Sequence, residues 1–234
     1  SVLQAEARST SGDACRTADR YDSYVLAMSW QPGFCEHLPG NSRKPECRDM
    51  LSGKRNIDYL TLHGLWPNNR SCGISYGQCS GRPLKLRPET VTYIRPWMPN
   101  WYYSSDFGSY EWRKHGTCQT ALDDDGYFRK AVNAVITLNS SSAGKYLAEN
   151  TGGAISRKEF FKKFNQDTED TRAADNVQLL CAGSYLYEIR VLLASEFEVG
   201  KGVATMMAGA LNEKIGRNRQ ECQTDRIFIE RSGR

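Results

Sequence analysis

The chain has 234 residues, of which 39% are hydrophobic and 11% aromatic. This composition excludes an intrinsically disordered chain and predicts a globular protein that is long enough to bury a sizeable core. The formal net charge is only +4, which excludes the charge blocks of a structural nucleic-acid binder, so a polyanion would have to bind at a local site.

The N-terminal residues 1–20 are polar and rich in small side chains. They predict a flexible N-terminal arm that is tied down only at Cys15. Residues 1–12 lack the apolar segment of a signal peptide, and we expect the signal peptide to have been removed already. Residues 21–234 contain no internal repeat and no linker, and they predict a single domain. No apolar run approaches the ~20 residues that a membrane span needs, so no membrane association is expected.

The first strong element is YVLAMSW at residues 24–30, an apolar and aromatic run that predicts a buried strand. Residues 36–54 contain proline, glycine and many charges, and they predict a loop that Cys35 and Cys47 are well placed to close. Residues 57–62 predict a second central strand. His63 then falls at the C-terminal end of this strand, a rigid position from which a catalytic side chain can be presented.

Residues 67–87 predict a long loop, and residues 87–97 a short helix stopped by prolines. An aromatic patch, WMPNWYY, follows. Residues 107–118 predict a helix that carries Glu111, Lys114 and His115. Glu111 and His115 are four residues apart, so they lie on one face of this helix.

The second half of the chain alternates in type. Helices are predicted at residues 126–139 and 142–150, and the capping-box pattern at residues 156–159 opens another through Phe164. Strands are predicted at residues 176–182, 184–195 and 226–231. The Asp123-Asp124-Asp125 run is typical of a solvated turn before a helix.

Cysteine usage points to an oxidising compartment. The chain has eight cysteines at irregular spacing and no CxxC pair. With only three histidines, zinc binding is disfavoured, and four disulfides in a periplasmic or secreted protein are the better interpretation. We expect no metal and no cofactor.

Two of the three histidines lie in unusual segments, IDYLTLHGLWP at residues 57–67 and YEWRKHGTC at residues 110–118. One imidazole as base and one imidazolium as acid form an effective pair near neutral or mildly acid pH. Such a pair suits displacement at phosphorus by an internal hydroxyl, with Lys114 as a cation for the developing charge and Glu111 as an orienting group.

An internal hydroxyl nucleophile implies RNA, since only RNA carries the 2′-hydroxyl. Exposed aromatic side chains could stack on unpaired bases without strong selectivity; the candidates are Trp66, Tyr76, Trp101 and Phe107. Plainer interpretations stand beside these. A lone histidine, such as His37, is usually just hydrogen-bonded, and Trp97 and Trp112 are better assigned to the core.

LTLHGLWPN at residues 60–68 and EWRKHGTC at residues 111–118 resemble the two signature segments of the ribonuclease T2 family of secreted acid endoribonucleases. The resemblance extends to YVLAMSWQPGFC at residues 24–35. SSAGKYLAEN and ISRKEFF, at residues 141–150 and 155–161, resemble the bacterial periplasmic branch, which has broad specificity. The family resemblance implies an α+β fold in which helices pack on a central antiparallel sheet. Disulfides cross-link this fold, which forms a single domain.

The resemblance also implies a mechanism. His115 would be the general base on the 2′-hydroxyl and His63 the general acid on the leaving 5′-oxygen, with Glu111 and Lys114 stabilising the pentavalent phosphorus. The product would be a 2′,3′-cyclic phosphate that is slowly hydrolysed to the 3′-phosphate, without a metal. Single-stranded RNA is the implied partner, and we expect a monomer.

The same resemblance assigns the remaining sites. One base would be held by Trp66, Asn68 and Tyr76, and the other near Pro99, Asn100 and Phe107. Tyr110 stands where many members have a histidine that assists phosphate binding, and Asn68 where the first base site often has aspartate. The implied disulfides are Cys15–Cys72, Cys35–Cys47, Cys79–Cys118 and Cys181–Cys222.

Two other classes of function remain open. A binding module on the same fold would keep its biological activity after either histidine is replaced by alanine. A metal-dependent phosphodiesterase would lose its activity in EDTA, although the sequence lacks a clustered set of acidic and histidine ligands.

Overall fold

A computed structural model describes residues 11–233. Its strands are β1 (Ser23–Trp30), β2 (Leu60–Asn68), β3 (Ala154–Ser156), β4 (Val177–Ala182), β5 (Tyr185–Ala194) and β6 (Arg226–Phe228). Its α-helices are α1 (Ser11–Ala14), α2 (Gln31–His37), α3 (Pro45–Leu51), α4 (Pro88–Ile94), α5 (Asp106–Lys114), α6 (Asp124–Ser140), α7 (Ser142–Glu149), α8 (Arg157–Thr168) and α9 (Val203–Met207). Short 3₁₀ helices span Asn41–Arg43, Gly73–Ser75, Pro99–Tyr102, Gly116–Cys118, Thr171–Asn176 and Ala208–Ala210.

The strands form one sheet in the order β2-β1-β5-β6-β3. Strand β4 lies off this path and pairs with β5. The pairings β1–β2, β1–β5, β4–β5 and β3–β6 are antiparallel. Among the strands of residues 11–233, only β5 and β6 pair in parallel, through Tyr185 and Phe228. The predicted α+β fold with a mainly antiparallel central sheet is therefore confirmed.

The two faces of the central sheet have different chemistry. Alternate residues of β1, β2, β4 and β5 on one face are apolar and join the main core: Tyr24, Leu26, Met28, Trp30, Leu60, Leu62, Leu65, Val177, Leu179, Ile189, Val191 and Leu193. Helix α6 covers this face with its own buried side chains. The opposite face carries polar and small residues, among them Ser29, Thr61, Glu188 and Arg190. This polar face is where a site can be built.

A β-bulge lies at His63. Met28 pairs with Leu62 and Ala27 pairs with Gly64, so His63 is the extra residue on β2. Because side chains alternate along a strand, this insertion shifts the apolar set from Leu62 to Leu65 and turns Trp66 to the polar face. The expectation that His63 ends a strand is therefore wrong, since β2 continues to Asn68.

Residues 36–54 are more structured than the predicted loop. Helix α2 ends at His37, and α3 begins with Pro45 in its first turn. Proline is tolerated there because the first helical amides need no intrahelical acceptor. The Cys35–Cys47 disulfide joins these two helices. The sequence-based prediction missed these two helices because it interpreted proline and glycine only as residues that interrupt helices.

Helices α6, α7 and α8 match the sequence-based predictions more closely. Helix α6 begins at an N-cap, Asp123, whose side chain accepts from the Gly126 amide. Ser141 caps α7 and Ser156 caps α8 in the same way. Asp124 and Asp125 accept hydrogen bonds from the backbone amides of residues 85 and 87, so the acidic run is a helix start.

Four disulfides link Cys15 to Cys72, Cys35 to Cys47, Cys79 to Cys118 and Cys181 to Cys222. These are the pairs that the family resemblance implies. The predicted N-terminal arm falls partly on residues 1–10, which lie outside the described residues. Within the described part, Cys15 is bonded to Cys72, and the Asp19 amide donates to the Cys118 carbonyl. Among residues 11–233, none of the helices is both long and apolar enough to cross a bilayer.

Candidate active site

A cavity of about 670 Å³ opens on the polar face of the sheet. It brings together eight residues that the sequence singles out: His63, Trp66, Asn68, Tyr76, Tyr110, Glu111, Lys114 and His115. The other lining residues include Val25, Gln178, Arg190 and residues 215–218. The two histidine segments therefore meet in one place, as the sequence predicts.

His63 lies between two carboxylates. Its Nδ1–H donates to Oε2 of Glu188 at 2.7 Å, and its Nε2 lies 3.6 Å from Oε1 of Glu111. Burial lowers the pKa of His63, but the hydrogen bond to Glu188 and the two negative charges outweigh burial and raise the pKa above its ordinary value. The surroundings of His63 therefore favour its imidazolium form.

Glu188 is a site residue that the sequence-based prediction missed. It lies on β5 and is 3% exposed. Its Oε1 accepts from Nε of Arg190 at 2.6 Å. Burial raises the pKa of Glu188, but the hydrogen bonds from His63 and Arg190 bring it below its ordinary value. The available signal was a Glu and an Arg two residues apart within the apolar strand YLYEIRVLLA, because such a pair shares one face of a buried strand.

Trp66 connects the two histidines. Its ring stacks on His115 with centroids 5.1 Å apart and meets His63 edge-on at 5.1 Å. Its Nε1–H donates to Oε2 of Glu111 at 2.8 Å. Gly64 makes this approach possible: a Cβ there would lie 2.2 Å from Glu111 Oε2 and 2.3 Å from Trp66 Nε1. No other residue fits at position 64 without displacing the cluster.

His115 lies just beyond the last residue of α5, and its backbone is no longer helical, with φ −120° and ψ −53°. The predicted helix through Cys118 is therefore shorter, although the His115 amide still donates to the Glu111 carbonyl at 2.9 Å. The His115 side chain is buried, and its Nδ1 has no hydrogen-bond partner among the described residues. Burial, with the positive charges of Lys114 and His63, lowers the pKa of His115 to about 3.

The two imidazoles are thus set in opposite protonation states. Carboxylates stabilise the cation of His63, whereas burial and a neighbouring ammonium disfavour the cation of His115. Burial also raises the pKa of Glu111, against the opposing effects of His63 and the Trp66 hydrogen bond. A proton donor and a proton acceptor therefore face one cavity near neutral pH, which suits paired acid–base chemistry.

The residues expected at the first base lie in different environments. Asn68 lines the cavity, and its side-chain amide donates to Ser23 Oγ at 3.0 Å. Tyr76 also borders the cavity, but it is only 3% exposed. Its hydroxyl donates to the Thr17 carbonyl and accepts from the Arg20 amide. The expectation of an exposed stacking ring is therefore wrong for Tyr76.

Pro99 and Asn100, expected at the second base, lie outside the cavity lining. Pro99 is buried, and the Asn100 amide donates to Oε1 of Glu46 at 2.8 Å. Phe107 is closer, with its ring centroid 5.7 Å from that of His63. Tyr110 is 42% exposed and borders the cavity, with the ammonium of Lys114 5.5 Å from its ring centre.

The remaining candidates are structural. Trp112 is fully buried and donates to the Arg82 carbonyl, so its assignment to the core is confirmed. His37 stacks on Tyr185 and contacts Glu230 at 2.9 Å. Glu36, His37 and Glu230 form a group within residues 11–233 with the composition of metal ligands, but none of them lines the cavity.

The model of the ribonuclease T2 family matches residues 21–207, most of the chain. The chain belongs to the ribonuclease T2 family. As a T2 enzyme, it is an endoribonuclease. Ribonuclease I of Escherichia coli strain K12 is 32% identical over 208 residues, covering 75% of this chain and 76% of that protein.

Solved structures of T2 ribonucleases show the same fold. The crystal structure of human RNase T2 covers 91% of this chain and 100% of its own, with a TM-score of 0.58 and 17% identity. RNase NT in complex with 5′-AMP covers 90% and 98%, with a TM-score of 0.59 and 15% identity. The family match ends at residue 207, so the cavity wall at residues 215–218 lies outside the matched part of this T2 ribonuclease.

Proposed function

We propose that the protein cleaves single-stranded RNA by attack of the 2′-hydroxyl on the adjacent phosphorus, without a metal ion. The product is a 2′,3′-cyclic phosphate, which the same residues slowly hydrolyse to a 3′-phosphate. The observation that carries the proposal is the pair of cavity histidines whose surroundings favour opposite protonation states. Transesterification needs one base and one acid at the same time.

In the proposed reaction, His115 is the general base. Its pKa of about 3 keeps the ring neutral at the pH of the reaction, so it accepts the proton of the 2′-hydroxyl. His63 is the general acid and protonates the leaving 5′-oxygen. Its two carboxylate neighbours hold it in the charged form. In the hydrolysis step the roles reverse: His63 activates water and His115 returns the proton to the 2′-oxygen.

Lys114 is the proposed electrostatic stabiliser. Its side chain lines the cavity beside His115 and carries a positive charge where the phosphorane oxygens become more negative. Glu111 is buried and holds both Trp66 and His63 in place. We therefore assign Glu111 a positioning role at His63 and Trp66 in addition to contact with the phosphorane.

Base recognition in this proposal is weak. Trp66 is engaged by His115 and His63, and the Arg190 guanidinium lies 5.0 Å from its ring centre. The indole therefore positions the catalytic groups as well as bordering the first base site. The exposed cavity rim includes Tyr110 and Ile74. Stacking and apolar contact discriminate little between bases, which supports broad specificity.

The proposal also covers the oligomeric state and the compartment of the enzyme. The proposed chemistry needs only groups from one copy of the chain, and we propose that the enzyme is a monomer. Four disulfides support residence in an oxidising compartment, as a periplasmic or secreted protein.

The test is digestion of a mixed-sequence single-stranded RNA in excess EDTA, with the product ends identified by mass spectrometry. We expect 2′,3′-cyclic phosphates first and 3′-phosphates later, at all four bases. Absence of cyclic products, or full loss of cleavage in EDTA, would contradict the proposal.

A matched set of variants assigns the residues. His63→Ala and His115→Ala should each lower kcat by about 10²–10⁴-fold, the usual contribution of a general acid or base. His37→Ala is the control, because it removes the third histidine, which stacks on Tyr185 outside the cavity. A near-normal rate in either of the first two variants would overturn the role assignment. Normal biological activity in both would favour a binding module instead.

A further inference from the structure

One wall of the catalytic cavity is formed by residues 215–218, beyond the family match. Asn176, just before β4, and Gln178 on β4 hold this segment in place. The Ile215 amide donates to Oδ1 of Asn176 at 3.2 Å, and Nε2 of Gln178 donates to the Gly216 carbonyl. The Asn218 amide donates to Oε1 of Glu221 at 2.9 Å. The segment therefore has a fixed position over the polar face of the sheet.

Arg217 is the cation of this wall. It is exposed, and it lines the same cavity as His63 and His115. Two basic residues near it are matched by carboxylates: Lys214 by Asp175 at 3.2 Å and Arg190 by Glu188 at 2.6 Å. Within residues 11–233, no carboxylate lies within ion-pair distance of the Arg217 guanidinium.

A second groove, of about 330 Å³, shares part of its lining with the cavity. Arg217 borders both, together with Gln178 and residues 215–216. The groove continues past Arg157, whose guanidinium lies 5.0 Å above the ring of Phe161. Its carboxylates are already engaged, since Asp175 pairs with Lys214 and Glu221 accepts from the Asn218 amide.

We propose that Arg217 forms a second phosphate subsite, which binds a phosphate of the RNA chain other than the one being cleaved. The inference rests on the proposed ribonuclease function. In this proposal the scissile phosphate lies among His63, His115 and Lys114. The RNA strand then leaves the cavity over residues 215–218 into the second groove. A guanidinium suits this position, because its fork of N–H groups binds two phosphate oxygens at once.

The test compares substrates of different length. A dinucleotide with one ribose has only the scissile phosphate. Two tetranucleotides, each with a single ribose at the first or third position and deoxyribose elsewhere, place the extra phosphates on the 3′ or the 5′ side. Because only the ribose can react, the cleaved bond is known in each case. The variants are Arg217→Ala and Arg217→Lys, with Arg219→Ala as a matched control outside the cavity lining.

We expect Arg217→Ala to lower kcat/KM for one tetranucleotide about three- to tenfold more than for the dinucleotide, as loss of one charge-assisted phosphate contact would. Arg217→Lys should recover part of the loss, and Arg219→Ala should change neither ratio. Equal effects of Arg217→Ala on all three substrates, or no effect on any of them, would overturn the subsite.

A binding measurement separates the subsite from catalysis. An all-deoxy tetranucleotide cannot react, so its affinity reports contacts alone. Arg217→Ala should weaken its binding and reduce the slope of log K against log salt concentration by about 0.7, the value for one phosphate of a single strand. An unchanged slope would overturn the proposal. If the wild-type enzyme bound this ligand with the expected slope but cleaved no ribose substrate, the proposed function would fail and the subsite would stand.

Discussion

His63 and Glu188 lie on strands separated by β1, yet Nδ1 of His63 is 2.7 Å from Oε2 of Glu188. Strands two apart in a sheet are ~10 Å apart, so both side chains must reach across the strand between them. Alternation from Leu62 points His63 toward the polar face, and the part of β1 that lies between His63 and Glu188 presents only Ala27 and Ser29 on that face. The contact therefore depends on two small side chains, which leave room for His63 and Glu188 to reach each other.

Glu188→Gln should lower the upper pH limit of activity. Glu188 raises the pKa of His63, whereas burial lowers it. When the carboxylate charge is lost, the burial effect dominates, and His63 gives up its proton at lower pH. Because His63 must be charged to act as the acid, the alkaline limb of kcat/KM should move down in pH. At a pH above the new limb, the rate should fall about tenfold for every pH unit by which the limb has moved.

The acid limb provides the internal control for Glu188→Gln. It reflects protonation of His115, which has the pKa of about 3 and is not in contact with Glu188. We expect this limb to stay in place. A uniform loss of rate with both limbs unchanged would show that Glu188 only supports the fold.

Gly64→Ala should disable the site while most of the sheet remains. The new methyl group would lie 2.2 Å from Glu111 Oε2 and 2.3 Å from Trp66 Nε1, which forces the two apart. Misplacement of catalytic groups by about 1 Å can cost about 10²-fold in rate. The measurement is kcat/KM on a dinucleotide. Gly81→Ala is the control, because its Cβ would meet open space, and a comparable loss there would contradict the argument.

Removal of the Cys79–Cys118 disulfide should reduce activity more than its effect on stability explains. The bridge closes a separation of 39 residues, so the chain-entropy model gives about 4 kcal/mol of stabilisation. It also ties the loop at Gly77 and Gln78 to the end of α5, where the Gln78 amide donates to the Lys114 carbonyl at 2.8 Å. The double alanine variant should lose activity even at temperatures where it is fully folded.

The matched control is the double alanine variant of Cys35 and Cys47. This bridge closes 12 residues and lies in a separate small cluster with Met50. The same model gives about 3 kcal/mol for it. Its melting temperature should fall, with a near-normal rate in the folded state. If both variants lost activity in proportion to their unfolded fraction, Cys79–Cys118 would be a staple only.

Much of the fold was accessible from the sequence because its signals are local. The apolar run predicts β1, and the capping serine predicts the start of α8. The two histidine segments likewise indicate the site from their own residues. The bulge was harder, since the prediction ended the strand at Leu62. The signal was present: Leu60 and Leu62 are two apart, but the next inward residue, Leu65, is three further on. That spacing marks one extra residue in the strand.

The partners of His63 could not be predicted in the same way. Glu188 is 125 residues away, and its contact depends on the order of the strands. The base-site residues show the opposite limit. Family resemblance placed Tyr76 and Asn100 by position along the chain, but hydrogen bonds to the Thr17 carbonyl and Glu46 decide how their side chains are used. Long-range pairing is a property of the packed sheet.

The polar face of the sheet carries the acid and its carboxylate on β2 and β5, on either side of the central strand β1. Among the described strands, β5 lies inside the sheet, whereas β2 is an outer strand. Inner strands open only when the whole domain unfolds, whereas edges and loops can open locally at lower cost. Glu188 should therefore keep its position throughout the native ensemble, and local opening of β2 would separate His63 from it. Heat inactivation should then begin below the temperature of global unfolding, so residual turnover becomes a measure of how long this edge of the sheet stays closed.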